Sequence, residues 1–207
     1  MGRELKKAPR PFAYPSEPHV RRHGPFGYRD YKSYRDWLRD DFSFRCVFCL
    51  NREQWGIAKG NWDIDHFVPQ SIDPLSVLLY ENLLYVCHSC NSLKSNHLVP
   101  DPCRVAFGKS IVVRDNGEIV SLNDDGEILI EMLRLDNKDY TRWRRLIICT
   151  IRSLAKKGDK ETLTLWMGYP EDLPDLKVPK PRGNTKPEGV TDSFYARRMK
   201  GALPDMY

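Results

Sequence analysis

Long apolar segments are missing from this chain of 207 residues. No hydrophobic run approaches the ~20 residues that a membrane-spanning helix needs, and the N-terminal residues MGRELKKAPRPF lack the apolar centre of a signal peptide. No internal repeat is visible either. We therefore expect one globular domain in the cytoplasm, with room for terminal arms and with no membrane partner.

Cysteine is sparse, and four of the six cysteines form two Cys-x-x-Cys pairs. The pairs are Cys46 with Cys49 and Cys87 with Cys90. In a reducing cytosol such pairs bind metal rather than cross-link, and together they supply the four thiolates of a tetrahedral structural Zn²⁺ site. The stretch between the pairs is longer than in compact zinc ribbons, so two unrelated reduced pairs remain an alternative. Cys103 and Cys149 have apolar neighbours, and we expect both to be buried.

The net charge of the chain is only +5, but the surplus of basic residues is concentrated at its two ends. Residues 1–45 hold 11 Lys and Arg against 6 Asp and Glu, and residues 177–207 hold 7 against 3. Both ends are rich in proline, so we expect extended arms that wrap a polyanion or a partner. Solvated tails that only keep the protein soluble are the alternative.

The spacing of apolar residues predicts a mixed α+β fold. The predicted helices span 28–41, 91–98, 125–134, 138–157 and 159–167. The predicted strands span 62–68 and 82–86, and an Asp-Asn-Gly turn between two β-branched runs predicts a hairpin over 110–122.

These predicted elements divide the chain into four parts. We expect an extended N-terminal arm over 1–26 and a core with the zinc site over 27–109. A hairpin and helices packed on that core would cover 110–170, and a Pro-rich basic tail would cover 171–207.

An ordered set of polar residues accompanies the cysteine pairs. In chain order it comprises Asp65-His66-x-x-Pro69, Glu81-Asn82-Leu83 and Cys87-x-x-Cys90-Asn91-x-x-Lys94. Distributed over two strands and a helix, this set resembles the HNH endonuclease family, whose fold is known as ββα-metal. The resemblance is close over residues 44–98 and looser over 111–145. It implies that residues 27–109 contain an HNH nuclease core with a structural zinc.

The resemblance also implies a role for each polar residue. His66 would be the general base, because a neutral imidazole can take a proton from water near pH 7. Asp65 and Asn91 would hold a catalytic Mg²⁺ or Mn²⁺ ion, since carboxylate and amide oxygens are hard donors. Asn82 would bridge backbone groups of the loop between the strands, and Lys94 would contact a phosphate oxygen as a point charge.

These residues predict a metal-dependent endonuclease that hydrolyses DNA phosphodiester bonds, with duplex DNA as the default substrate. A non-catalytic zinc module that binds nucleic acid or a protein partner is the alternative. It is disfavoured because a decayed nuclease tends to lose the residues that are intact here. The length leaves no region for a substantial sequence-recognition domain, which favours the nuclease subunit of a larger assembly. Such an assembly would be a bacterial or phage defence system with an ATPase partner, or a mobile element.

Overall fold

The computed structural model describes residues 9–55, 62–178 and 183–207. Helices and three two-stranded antiparallel sheets make up these ranges, so the α+β prediction is confirmed. The strands are β1 (Pro25–Phe26), β2 (Trp62–His66), β3 (Leu83–Cys87), β4 (Ile111–Val113), β5 (Ile119–Ser121) and β6 (Gly183–Asn184). The α-helices are α1 (Arg35–Asp41), α2 (His88–Lys94), α3 (Phe107–Ser110), α4 (Asp124–Leu133), α5 (Lys138–Lys157), α6 (Lys160–Met167), α7 (Pro187–Thr191) and α8 (Phe194–Met199). Within the same ranges, no helix has the length and apolarity needed to cross a bilayer.

The central sheet is the antiparallel pair β2–β3, in which Asp65 is opposite Leu84 and His66 is opposite Leu83. β2 ends at His66, two residues earlier than predicted. The chain leaves the ladder at Phe67, whose N–H donates to the Asn82 carbonyl at 2.8 Å. Asp65 and His66 therefore lie where the hairpin opens into its connecting loop.

Helix α2 packs on both strands of this sheet. It begins at His88, inside the second cysteine pair, and ends at Lys94, so the predicted bounds of 91–98 are wrong. The cause is Ser95, whose positive φ of 47° turns the chain away from the helix. Asn91 and Lys94 are three residues apart and therefore lie on the same face of this short helix. That face contacts β2.

The predicted N-terminal helix is present in two pieces. Tyr31–Tyr34 form a 3₁₀ turn, capped by the Asp30 carboxylate, which accepts from the Lys32 N–H at 3.1 Å, and α1 follows directly. The helix stops at Asp41 because the chain turns through positive φ at Ser43 and Phe44. Its apolar face, which includes Trp37 and Leu38, is buried in the main core with β2 and β3.

The second half of the described chain follows the predicted pattern. The β4–β5 hairpin precedes α4, and α5 has the predicted bounds. The Asn137 side chain caps the start of α5, and Gly158 ends it with a φ of 71°. Cys149 is exposed on α5 and Cys103 is half-buried, so the expectation that both are buried is wrong.

The chain ends that the structure describes pack against the rest of the molecule, whereas the sequence predicts extended arms that wrap a polyanion or a partner. Phe12 and His23 are buried near one end, and Leu173 and Phe194 near the other. Strand β1 also pairs with β6, which joins the two ends. Residues 1–8 and 179–182 of the predicted arm and tail lie outside the described residues.

Buried charge pairs explain why the N-terminal segment packs. Arg22 donates to the Asp40 carboxylate at 2.7 Å. The Arg21 guanidinium lies 3.7 Å from the Asp41 carboxylate. Both carboxylates are at the end of α1 and are fully buried. Arg21 and Arg22 are therefore not free to contact a polyanion, because the buried carboxylates of α1 pair with them.

Candidate functional site

The two cysteine pairs are presented by different elements. The first pair lies in a tight loop whose ends, Arg45 and Arg52, form an isolated antiparallel bridge. Leu50 closes this loop with a φ of 58°, and its N–H donates to the Cys46 carbonyl at 3.0 Å. The second pair spans the end of β3 and the first turn of α2. The Val47 N–H donates to the Tyr85 carbonyl at 3.1 Å, which holds the first loop against β3.

This packing brings the four cysteines together as one buried cluster. Their sulfur atoms all lie within 4.8 Å of one another, and Cys49 Sγ is 3.7 Å from Cys87 Sγ. None of the four is in a disulfide. A tetrahedral ion with Zn–S bonds of 2.3 Å needs sulfurs about 3.8 Å apart, so the cluster can hold a structural metal such as zinc. The two pairs thus form one site rather than two unrelated ones.

The sulfurs perturb one another's protonation. Hydrogen bonding with Cys46, followed by that with the other thiols and by burial, raises the pKa of Cys90. The same partner leads the causes that lower the pKa of Cys87. Four buried thiols in contact cannot all lose their protons without a compensating cation. The donor set is therefore chemically matched to a divalent soft metal, which would bind with proton release.

Lys94 is fully buried, with 0 % of its side chain exposed, and it faces Asp65, which is 6 % exposed. Its Nζ lies 3.1 Å from Asp65 Oδ1 and 2.9 Å from Oδ2, and it donates to the His66 carbonyl at 2.9 Å. The Lys94 ammonium is thus buried against Asp65 and the His66 carbonyl, whereas the resemblance implied a contact with a phosphate oxygen. The ammonium instead fixes the strand end that carries both Asp65 and His66.

Asp65 is a poorly satisfied carboxylate despite this partner. Its buried Oδ2, though close to the ammonium, accepts no hydrogen bond of acceptable geometry. Burial raises the pKa of Asp65 to about 6, and the Lys94 charge offsets only part of that rise. A buried carboxylate oxygen without a hydrogen bond is a natural ligand for a cation.

The His66 imidazole is held in one tautomer. Its Nε2 lies 3.1 Å from the Val77 carbonyl, which can only accept, so Nε2 carries the proton. The amide nitrogen of Gln70, which can only donate, lies 3.1 Å from Nδ1 and 3.5 Å from Nε2; because Nε2 donates to Val77, Nδ1 is the ring nitrogen left to accept. Burial lowers the pKa of His66, which keeps the ring neutral. The Tyr31 ring packs edge-on against the imidazole at 4.7 Å.

Asn82 ties together the loop that follows His66. Its side-chain oxygen accepts from the Val68 N–H at 2.8 Å, and its amide nitrogen donates to the Val68 carbonyl at 3.1 Å. The same nitrogen donates to the Ser76 hydroxyl at 2.9 Å. These bonds set the path of the loop that presents the Val77 carbonyl to His66.

Asn91 does not pair directly with Asp65. Its amide nitrogen donates to Asp63 Oδ2 at 3.0 Å, and the same oxygen lies 2.9 Å from His88 Nδ1. Because alternate residues of a strand share a face, the side chains of Asp63 and Asp65 both point towards α2. Asn91 of the helix contacts Asp63, and Lys94 contacts Asp65.

The sequence interpretation missed three residues that touch the expected site. Asp63 could have been found, because it alternates with Asp65 on the predicted strand. Gln70 gives no signal, since its contact with His66 depends on the fold of the loop. Val77 acts through its carbonyl, for which the identity of the side chain is no guide.

Comparison of the chain with protein-family models, with curated proteins and with solved structures gives no match. The geometry of the β2–β3–α2 unit and its cysteine cluster therefore provides the basis for assigning a function.

Proposed function

We propose that the chain is a metal-dependent HNH endonuclease in which β2, β3 and α2 form a ββα-metal core and hydrolyse DNA phosphodiester bonds. The observation that carries the proposal is that β2 ends in a His66 ring whose pKa is lowered by burial, directly after the buried Asp65 carboxylate that α2 contacts through Lys94. This end of the strand meets the helix that the cysteine cluster anchors. A base beside a cation ligand is what phosphodiester hydrolysis requires.

In this proposal His66 Nδ1 takes the proton of the attacking water. The Val77 carbonyl accepts from Nε2–H and stabilises the imidazolium that results. The Gln70 amide now occupies Nδ1, so it must move aside for water to bind there. Asn82 holds the loop near Val77 by bonding to Val68 and to Ser76, the residue before Val77.

Asp65 and Asn91 would hold a Mg²⁺ or Mn²⁺ ion, and both side chains supply the hard oxygen donors that such ions prefer. The buried Oδ2 of Asp65 accepts no hydrogen bond of acceptable geometry but lies 2.9 Å from the Lys94 ammonium, so the ion would share this oxygen with the ion pair. When bound, the ion would act as a Lewis acid on the scissile phosphate and stabilise the leaving oxygen. Lys94 then serves as a positioning residue for Asp65, because its ammonium contacts the carboxylate and the neighbouring backbone.

Duplex DNA is the proposed substrate, and exposed cations on α5 support it. The exposed basic residues of this helix include Arg142, Arg145, Lys156 and Lys157, whereas Arg152 pairs with Asp115. They offer sequence-independent phosphate contacts, whereas Arg21 and Arg22 face buried carboxylates. We further propose that the chain is the nuclease subunit of a defence or mobile-element assembly, with a partner such as an ATPase.

Cleavage of supercoiled plasmid tests the catalytic proposal. Wild-type protein should nick or linearise the plasmid with Mg²⁺ or Mn²⁺ and should be inactive with EDTA. His66→Ala should lower the single-turnover rate by ~10²–10⁴-fold, the usual contribution of a general base. His97→Ala, at an exposed histidine beyond α2, is the matched control and should cut at the wild-type rate. Equal rates for His66→Ala and wild type would place the chemistry elsewhere.

A non-catalytic zinc module that binds nucleic acid or a protein is the second candidate. It is favoured by the buried Lys94–Asp65 ion pair, because the ammonium already neutralises the carboxylate proposed to bind the ion. Zinc-loaded protein that binds DNA but shows neither Mn²⁺ binding nor cleavage would establish this candidate.

A further inference from the structure

Asp63 is a charged side chain of β2 that the proposed chemistry does not yet use. One of its oxygens, Oδ2, lies within hydrogen-bond distance of two groups on α2, Asn91 Nδ2 at 3.0 Å and His88 Nδ1 at 2.9 Å. Its side chain is 28 % exposed, whereas that of His88 is 68 % exposed. Asp63 therefore sits between solvent on one side and the proposed ion ligand on the other.

The chemistry of this contact fixes the orientation of an amide. An ionised carboxylate only accepts hydrogen bonds, so Asn91 must turn its NH₂ group towards Asp63. Its oxygen, Oδ1, then lies at the other end of the planar amide group and is not directed at Asp63. An unrestrained asparagine would sample both flips, and in one of them it would present N–H donors to a cation.

The strand and helix geometry makes the restraint relevant to the ion. Asp63 and Asp65 share one face of β2, and Asn91 and Lys94 share one face of α2. The two contacts, Asp63–Asn91 and Asp65–Lys94, are therefore adjacent. Asn91 can share an ion with Asp65 only through Oδ1, because its Nδ2 is bonded to Asp63.

We propose that Asp63 is a positioning residue that orients the Asn91 amide, so that Oδ1 is available to a divalent ion held with Asp65. The inference rests on the proposed function and adds to it a residue that does not itself touch the ion. Groups that orient a metal ligand commonly contribute ~10–100-fold to metal affinity.

Binding of Mn²⁺ to zinc-loaded protein, followed by the electron paramagnetic resonance signal of free Mn²⁺, tests the role without requiring cleavage. Asp63→Ala should weaken Mn²⁺ binding by ~10–100-fold and leave the zinc content unchanged. In an Asn91→Ala background the same substitution should have no further effect, because Asp63 acts only through Asn91. If it weakens Mn²⁺ binding equally in both backgrounds, Asp63 is itself a ligand and the proposal is wrong.

Asp63→Asn separates hydrogen bonding from charge. Its amide oxygen can still accept from Asn91, so this variant should bind Mn²⁺ close to the wild-type affinity. A loss as large as that of Asp63→Ala would mean that Asp63 acts by its charge, contrary to the proposal. Should Asp63→Ala lose zinc, Asp63→Val removes the acceptor with a residue that favours a strand.

Plasmid cleavage by the same variants gives a second readout. Asp63→Ala should raise the Mn²⁺ concentration needed for half-maximal cleavage, while the rate at saturating Mn²⁺ changes much less. Unchanged Mn²⁺ affinity in Asp63→Ala would overturn this inference alone. A wild-type protein that binds no Mn²⁺ and cuts no DNA would overturn the nuclease proposal and this inference together.

Discussion

At the scale of single residues, the buried Lys94–Asp65 pair determines how the end of β2 is presented. The ammonium contacts the carboxylate and the His66 carbonyl at once, so one side chain of α2 locks both residues of the Asp-His pair. Desolvating a lysine is costly, and the cost is recovered only with good geometry on every side. The pair therefore links the stability of the fold to the geometry of the site.

Lys94→Ala should destabilise the protein strongly, because it leaves a buried carboxylate without its partner. Removing one member of a buried pair costs ~3–5 kcal/mol in the free energy of unfolding. Urea denaturation followed by tryptophan fluorescence would measure this loss. Lys109→Ala is the matched control, since Lys109 pairs with Glu17 at 3.2 Å on the surface. Its cost should stay within ~1 kcal/mol. Similar losses in the two variants would mean that Lys94 contributes no more than a surface ion pair.

At the scale of secondary-structure elements, the cysteine cluster joins pieces that are too short to be stable alone. The loop between Arg45 and Arg52 makes one isolated bridge, β3 has five residues and α2 has seven. A helix of this length is marginal in water unless tertiary contacts hold it. A metal ion shared by the loop and the start of α2 would supply such contacts directly.

Purified protein should contain one tightly bound zinc ion per chain, and Cys87→Ser should lose it. Without the metal, α2 should lose its anchor, with a large fall in melting temperature and in helical circular dichroism. Elemental analysis and thermal denaturation measure the two effects. Cys149→Ser, at an exposed cysteine outside the cluster, should keep both the zinc and the melting temperature. A Cys87→Ser protein with wild-type stability would show that the cluster has no structural metal.

At the scale of the whole molecule, Asp40 connects the two ends of the chain through the end of α1. Its carboxylate accepts from Arg22 at 2.7 Å, lies 2.8 Å from His23 Nε2 and accepts from the Phe194 N–H at 2.8 Å. Its neighbour Asp41 accepts from the Arg22 N–H and from the Tyr80 hydroxyl. Of the two carboxylates, Asp40 is therefore the one bonded to α8.

Asp40→Ala should loosen both ends together, because the Phe194 N–H loses its acceptor along with Arg22 and His23. Hydrogen exchange should show faster exchange at Phe194 and in the region of residues 21–24. Asp41→Ala is the comparison variant: it should loosen the N-terminal segment while the Phe194 amide stays protected. Equal protection of Phe194 in both variants would mean that other contacts, such as the Phe44–Phe194 ring packing, hold α8 alone.

The sequence by itself determined the features that depend only on residues close together in the chain. Two Cys-x-x-Cys pairs are visible as spacing, and α5 was predicted with the bounds that it has. Its apolar stripe is periodic, and its ends are set by Asn137 and Gly158. The Asp-His and Asn-x-x-Lys elements are also visible in the sequence, although their roles remain proposals.

Only the tertiary structure decided which of these residues meet. The contacts Asp63–Asn91 and Asp65–Lys94 join positions 28 and 29 residues apart, so they depend on strand register and on how α2 crosses the sheet. The resemblance implied that Lys94 contacts a phosphate, whereas in the fold Lys94 is buried as the partner of a carboxylate. The basic ends were likewise predicted to wrap a polyanion or a partner, although Arg21 and Arg22 pair with Asp41 and Asp40. A sum of charges over a segment cannot show which of its arginines a buried carboxylate will pair with.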